Sequence, residues 1–144
     1  MRLLYLITRA EPGGAQVHLL ELLRGFRDRA ELHLGVGEDQ AGFLVEEARA
    51  LGVRVHLLRH LVQPVRPVKD FRGLFEVMAL LRKVRPHLLH AHSSKAGFLG
   101  RLAGRALGVK SVFTAHGWAF TDGVPEGMKR LALSMERLAG RRGD

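Results

Sequence analysis

Cysteine is absent from the 144-residue chain, which excludes disulfides and thiolate metal sites and points to a reducing compartment. Aromatic residues able to stack on bases are scarce, with one Trp and one Tyr, and no helix-turn-helix spacing is found, so a nucleic-acid reader is disfavoured. Long hydrophobic runs are missing too. The early apolar stretch at residues 3–7 is too short for a signal-peptide core and runs straight into Thr8 and Arg9. Nothing approaches the length of a membrane span. No internal repeat or low-complexity tract is visible. A hydrophobic content of 47% suffices for one core, so the expectation is one domain, residues 1–144, kept in the cytoplasm.

What is present in excess is positive charge. The formal net charge is +9, distributed unevenly: through residue 58 there are seven Lys/Arg against eight Asp/Glu, from Arg59 to Lys110 eleven against two, and from Ser111 onward five against four. The excess therefore sits in one stretch that includes Arg59, Arg66, Lys69, Arg72, Arg82 and Lys83. A local basic field draws polyanions or an anionic membrane leaflet, each Lys/Arg near such a surface contributing about 1 kcal/mol. A solvated, Arg-rich face is the alternative reading of the same residues.

Strand and helix patterns alternate along the chain. Residues 2–7 read as a buried strand, and Gly13-Gly14 opens a helix with Leu19, Leu22, Leu23 and Phe26 inward. Residues 32–36 form a second strand, residues 43–51 a helix closed by Gly52, and residues 53–58 a third strand. Pro64 and Pro67 break both periodicities, so residues 61–67 read as an exposed loop. Asp70 is expected to cap the next helix, which carries Phe71, Leu74, Phe75, Met78 and Leu81 at helical spacing and stops before Pro86. Residues 88–91 form strand four, and Ser93 or Ser94 caps a helix with Leu99, Leu102, Ala103, Ala106 and Leu107 inward. Gly97, Gly100 and Gly104 on that helix allow close approach of neighbours. Residues 110–115 form strand five, and Met128, Leu131, Ala132 and Met135 mark a final amphipathic helix. Such βα repetition predicts an α/β, Rossmann-like, doubly wound parallel sheet of order 3-2-1-4-5, in three α/β/α layers.

In an open parallel sheet, ligands bind outside the carboxyl ends of the strands, and three segments fall there. At Gly13 and Gly14 the backbone N–H groups can approach an anion such as a diphosphate, aided by the positive end of the helix. Taken alone the pair reads more readily as a tight βα turn, and neither G-x-G-x-x-G nor a P-loop is present. His90, His92, Ser93 and Lys95 end strand four. The two histidines are two apart, hence on one face, and His90 reads as a core histidine beneath the site. His116, followed by Gly117 and Trp118, ends strand five, and a neutral imidazole can donate to or accept from a sugar hydroxyl. Three histidines can also hold a metal, but no carboxylate stands near them in sequence, so hydroxyl recognition is the preferred reading.

Gly13-Gly14-Ala15-Gln16, Pro64-Val65-Arg66-Pro67, Arg85-Pro86-His87, the run from His90 to Gly97 and His116-Gly117-Trp118-Ala119-Phe120 together resemble the amino-terminal half of retaining GT-B glycosyltransferases of family 4. The likeness is to the branch that builds capsules, exopolysaccharides and lipid-linked glycans, and it spans nearly the whole chain. The resemblance implies an acceptor-side domain of a two-domain enzyme that uses a nucleotide-diphosphate sugar, usually without a metal or other cofactor. By position it assigns Gly13 and Gly14 to the donor diphosphate or reacting centre, and His116 to the transferred sugar as the catalytic residue. Gln16, His92, Ser93, Ser94, Lys95, Gly117 and Trp118 are assigned to the acceptor or sugar. The basic stretch would then meet an anionic membrane at its inner face, where a lipid-linked acceptor resides.

The family's second domain binds most of the nucleotide and carries paired glutamates, and these residues hold no counterpart of it. The expectation is a first domain that stops before its last strands, joined to a donor-binding domain in cis or in trans and nearly inactive alone. Strand five as an open edge leaves a homodimer possible. The rival classes are a non-catalytic glycan- or lipid-binding module and, with less support, a nucleic-acid binder.

Overall fold

The computed structural model describes residues 1–9, 13–37, 42–62 and 66–116, together with residues 126, 127, 130, 133, 134, 137 and 138, which are helical. Five strands, β1 (Arg2–Ile7), β2 (Glu31–Val36), β3 (Arg54–Leu57), β4 (Leu88–His92) and β5 (Lys110–Thr114), form one sheet. All neighbouring pairs are parallel, and the order is β3-β2-β1-β4-β5, as the βα alternation predicts. Four helices connect them: α1 (Gly14–Phe26), α2 (Phe43–Ala50), α3 (Pro67–Val84) and α4 (Ser94–Leu107).

Strand β1 shows why two helical layers are needed. Leu3, Tyr5 and Ile7 alternate with Leu4 and Leu6, and all five are buried, so both faces of the central strand must be covered. The first set packs with Leu32, Leu34 and Val36 beneath α1 and α2. The second packs with Leu89, Ala91 and residues of α3 and α4.

Three expectations about which residues face the core are corrected. On α3 the buried stripe is Gly73, Val77, Leu80, Leu81 and Val84, while Phe71 and Phe75 are 64% and 53% exposed and Val68 is 71% exposed. At 100° per residue, Val68, Phe71 and Phe75 lie opposite that stripe, so the apolar spacing 71-75 marks an outer face. Leu61 and Val62, expected in an exposed loop, are buried, because Leu61 joins Leu58 in the core under α3 and α4. Phe26 is exposed at the end of α1 and Leu20 is buried in its place, and on α4 Ala106 also faces outward. Met128, Leu131, Ala132 and Met135 lie outside the described residues.

Helix α3 begins at Pro67 rather than after Asp70, with Arg66 as N-cap. Proline suits this first helical position because its missing N–H has no intrahelical partner there. Asp70 instead reaches back from the first turn, its Oδ2 accepting a hydrogen bond from the backbone N–H of Arg66 at 3.1 Å.

The glycines of α4 perform the close approach expected of them. A Cβ added at Gly97 would lie 2.5 Å from the ring of Phe113 on β5, and one at Gly100 would lie 3.2 Å from Leu89 and 3.3 Å from Leu6. Gly97→Ala is therefore expected to lower stability by about 1–3 kcal/mol, the usual cost of overpacking. Denaturant unfolding checks this, and a loss no greater than that for alanine at the open position Gly25 would contradict it.

Candidate active site

The carboxyl ends of β1, β4 and β5 bring the three sequence segments together. Tyr5 on β1 is in register with His90 on β4, and His92 with Thr114 on β5. Residues in register share a face, here the face covered by α1. His90 lies against Tyr5, with ring centroids 5.5 Å apart, and pairs its Nε2 with Thr114 Oγ1 at 2.7 Å. It is the structural histidine beneath the site that its position two residues before the strand end implies.

His92 is fully buried at the tip. Its Nδ1 meets Nε2 of His116 at 2.9 Å, and the two rings stack with centroids 5.2 Å apart. His18, one turn into α1, completes the group at 5.2 Å from His116 and 6.0 Å from His92. Sequence reading missed His18, an exposed polar residue near the start of α1 and outside its buried stripe of Leu19, Leu20 and Leu23. Its polar character placed it outside an apolar search.

No carboxylate is paired with these rings among the described residues, so burial decides the protonation of His90, His92 and His116. Burial first, then the neighbouring His90, His116 and His18, push His92 down to about 3. Burial also lowers His116, assisted by His18, and lowers His90, assisted by His18 and His116. The neutral form of His92 has one proton to place. Its Nε2 is buried with no partner among the described residues, and an orphaned N–H is rarer and costlier there than an orphaned lone pair. The arrangement favours Nδ1–H of His92 donating to Nε2 of His116, which leaves His116 with its proton on Nδ1, ready to donate.

The first turn of α1 leads into this cluster through His18. Gly13 is the N-cap of α1 in extended backbone, with no side-chain cap, and a Cβ at Gly14 would meet nothing within 4 Å. The N–H groups of the first turn are thus presented at the positive end of the helix, where an anion is favoured. Gln16 is a staple of this turn, its Nε2 donating to the carbonyl of Arg9 at 3.1 Å.

Ser93 stands at the N-cap position of α4, but its side chain does not cap; its Oγ accepts from Thr8 Oγ1 at 3.1 Å. Its φ of 78° is one of two positive values at non-glycine residues among those described, a conformation costing about 1–3 kcal/mol and concentrated at functional sites. Ser94 opens the helix and is half-buried. Lys95 is engaged in an ion pair: its side chain is 5% exposed and its Nζ lies 2.6 Å from Asp70 Oδ1, itself 18% exposed. The ion pair ties the start of α4 to the start of α3, and one partner removed would leave an uncompensated charge. Gly117 and Trp118 lie outside the described residues.

The basic stretch divides in space. Arg72 and Arg82 share the outer face of α3 with Val68, Phe71 and Phe75, whereas Arg59 and Lys83 line a groove at the β3 edge. Lys69 is half-buried and Arg66 is the exposed N-cap. No group of three metal-ligating side chains is so placed as to hold an ion among the described residues, and no helix there is long and apolar enough to cross a membrane.

A parallel sheet in this order, with histidines and glycines gathered at its strand ends, defines a Rossmann-like α/β domain. Residues 13–144 match the Glycosyl transferase 4-like domain, and the chain belongs to that family. Among curated relatives, it is 34% identical over 90 residues to the Escherichia coli UDP-Gal:alpha-D-GlcNAc-diphosphoundecaprenol alpha-1,3-galactosyltransferase, a match covering 62% of this chain and 23% of the relative. It is 26% identical over 115 residues to the Escherichia coli O-antigen biosynthesis glycosyltransferase WbnH, covering 80% and 32%. The Anabaena protein HepE, solved with UDP and glucose, superposes with a TM-score of 0.73 at 21% identity, over 99% of this chain and 36% of that one. The chain thus spans about a quarter to a third of the curated relatives' length, and corresponds to one half of the GT-B architecture.

The unfolded chain takes up protons on its histidines near pH 6.5, while the fold holds His92 neutral to about 3. That contribution to stability is complete above about pH 6.5 and is lost progressively as pH falls toward 3. Unfolding of His92→Gln at pH 7 to 4 is expected to show a shallower decline than the parent, by up to about 1.4 kcal/mol per pH unit. Parallel declines would exclude a neutral buried His92.

Proposed function

We propose that the chain is the acceptor-side domain of a retaining glycosyltransferase that moves a sugar from a nucleotide-diphosphate sugar to a glycan or lipid-linked acceptor. The observation that carries this reading is the meeting of His18, His92 and His116 with the uncapped start of α1 at the strand ends. In the reaction the bond from the anomeric carbon to the diphosphate breaks, a bond to the acceptor oxygen forms on the same face, and the acceptor's proton leaves with the diphosphate. Negative charge grows on the departing diphosphate, and N–H groups of α1 oriented in advance stabilise it more in the transition state than in the ground state. His116, relieved of its Nε2 by His92, offers its Nδ1–H to a hydroxyl of the transferred sugar. No metal enters this scheme.

The galactosyltransferase relative is named for a GlcNAc-diphosphoundecaprenol acceptor, and a lipid diphosphate of that kind is the acceptor we assign. The donor nucleotide requires a second domain, in cis or in trans. Calorimetric titration of the chain with UDP, GDP and their sugar conjugates, with an assay for released sugar, is expected to give neither tight binding nor turnover. With the donor domain supplied, transfer is expected, and His116→Ala is expected to cut turnover at least tenfold with unchanged unfolding. Turnover by the chain alone, or full turnover by His116→Ala, would sink the corresponding part of the reading.

The outer face of α3 supports a membrane-bound acceptor. Val68, Phe71 and Phe75 project apolar surface into solvent, with Phe71 and Phe75 edge to face at 5.0 Å, and Arg72 and Arg82 flank them. Apolar groups set among cations bind anionic leaflets by burial plus charge attraction. Sedimentation with phosphatidylglycerol vesicles is expected to fall at least tenfold in affinity for the double variant Phe71→Ser, Phe75→Ser, with no loss of stability. Equal affinity would remove α3 from the membrane surface.

A further inference from the structure

Away from the strand ends, a groove of about 590 Å³ runs along the β3 edge, where α3 leaves the last strand half-covered. Its apolar wall comes from Val55, Leu57, Leu58, Ala79 and Leu80. Its charged lining is Arg49 from the end of α2, Arg59 from the segment after β3, and Lys83 from α3, against the single carboxylate of Glu76. Glu76 is already engaged by the ring Nδ1 and the backbone N–H of His60. Arg49, Arg59 and Lys83 form no ion pair among the described residues. A concave surface with three cations that are unpaired among the described residues concentrates positive field, which a polyvalent anion neutralises.

His56 also lines this groove and is the end of a hydrogen-bonded chain. Glu31 Oε1 takes Nε2–H of His33 at 2.9 Å, and Nδ1 of His33 meets Nε2 of His56 at 2.9 Å. Where His33 gives its Nε2–H to Glu31 and accepts at Nδ1, His56 donates from Nε2, which leaves its own Nδ1 as the atom that takes a proton. Register supports this geometry, since His33 is paired with Arg54 and Gly35 with His56, which puts both rings on the α3 side of the sheet. Burial, His33, Lys83 and Arg54 hold His56 below its ordinary range, so the empty groove disfavours a proton that an anion would favour.

We propose that this groove is a phosphate-binding site for a mono- or diphosphate group, held by Arg59, Lys83 and Arg49 with His56 beneath it. The ligand's remaining part rests on the apolar wall. The site is separate from the histidine cluster and does not depend on the transferase reading. The phosphate can come from a soluble ester or from a lipid headgroup, since the groove flanks the outer face of α3.

Histidine-detected NMR of the chain, titrated with inorganic pyrophosphate at pH 6.5, is expected to shift the His56 ring and raise its titration midpoint, while His92 does not move. Lys83→Ala and Arg59→Ala are each expected to weaken pyrophosphate at least tenfold, and Arg27→Ala, an exposed charge on the far end of α1, to leave it unchanged. Vesicles of phosphatidylglycerol form the second arm: perturbation of His56 by vesicles alone assigns the headgroup, and by pyrophosphate assigns a soluble ester, either supporting the site. Absence of a His56 response in both arms would overturn the proposal. So would equal weakening by Arg27→Ala and Lys83→Ala, which would reduce binding to diffuse charge.

Discussion

Helix α4 can lie against the sheet only because its inward row is made of Gly97, Gly100 and Gly104. Each presents hydrogen where a methyl would collide with Phe113, Leu89 and Leu6, or the carbonyl of Val109. This contact is the constraint on which the site rests. It fixes the distance from α4 to β4 and β5, and so fixes where Ser93 turns and where His92 and His116 emerge. The bulk withheld on α4 is returned by Phe113, whose ring fills the space over Gly97 and takes the guanidinium of Arg101 at 4.8 Å. Lys95 and Asp70 then secure the upper end of the same helix to α3.

The histidine cluster shows how a parallel sheet can hold polar rings without acids to balance them. His90 and His92 take alternate positions on one face of β4, under α1, where water is excluded and protonation is resisted. Each ring is ordered by a neighbour that needs no charge: Thr114 for His90, His116 for His92. The exposed His116 is thus backed by a buried ring that stays neutral. The β3 edge uses a different device, with Glu31 fixing the tautomer of His33 and through it that of His56. The His33 hydrogen bond, with help from Arg54, in turn holds the Glu31 carboxyl below its usual range.

The strand order was legible because β1 is apolar on both faces and each βα unit closes on a clear stop, such as Gly52 with its φ of 81° or Pro86. The site segments were legible because strand ends in this topology are where ligands bind, and the histidines, serines and glycines sat there in sequence. What periodicity missed was the sense of an amphipathic helix. On α3 the apolar set 71-75 and the set 77-81-84 both satisfy helical spacing, and only the packing of α4 decides which one is covered. Capping failed for a related reason: Asp70 acts from inside the helix and is shared with Lys95, a contact between residues 25 apart that no local rule encodes. His18 was invisible because an exposed polar residue near the start of a helix acquires meaning only when two more rings arrive from distant strands.

The direction in which α3 runs has a further consequence. It starts level with α4, as the Asp70 to Lys95 pair requires, and descends at 1.5 Å per residue, so Phe75 lies only about 12 Å below its first residue. The exposed aromatic turn is therefore at the same end of the domain as His92 and His116. Whatever surface that turn rests on is held at a fixed height beside the histidine cluster, so the fold acts as a ruler: it sets the distance from that surface to the strand ends, independently of how tightly anything is held there.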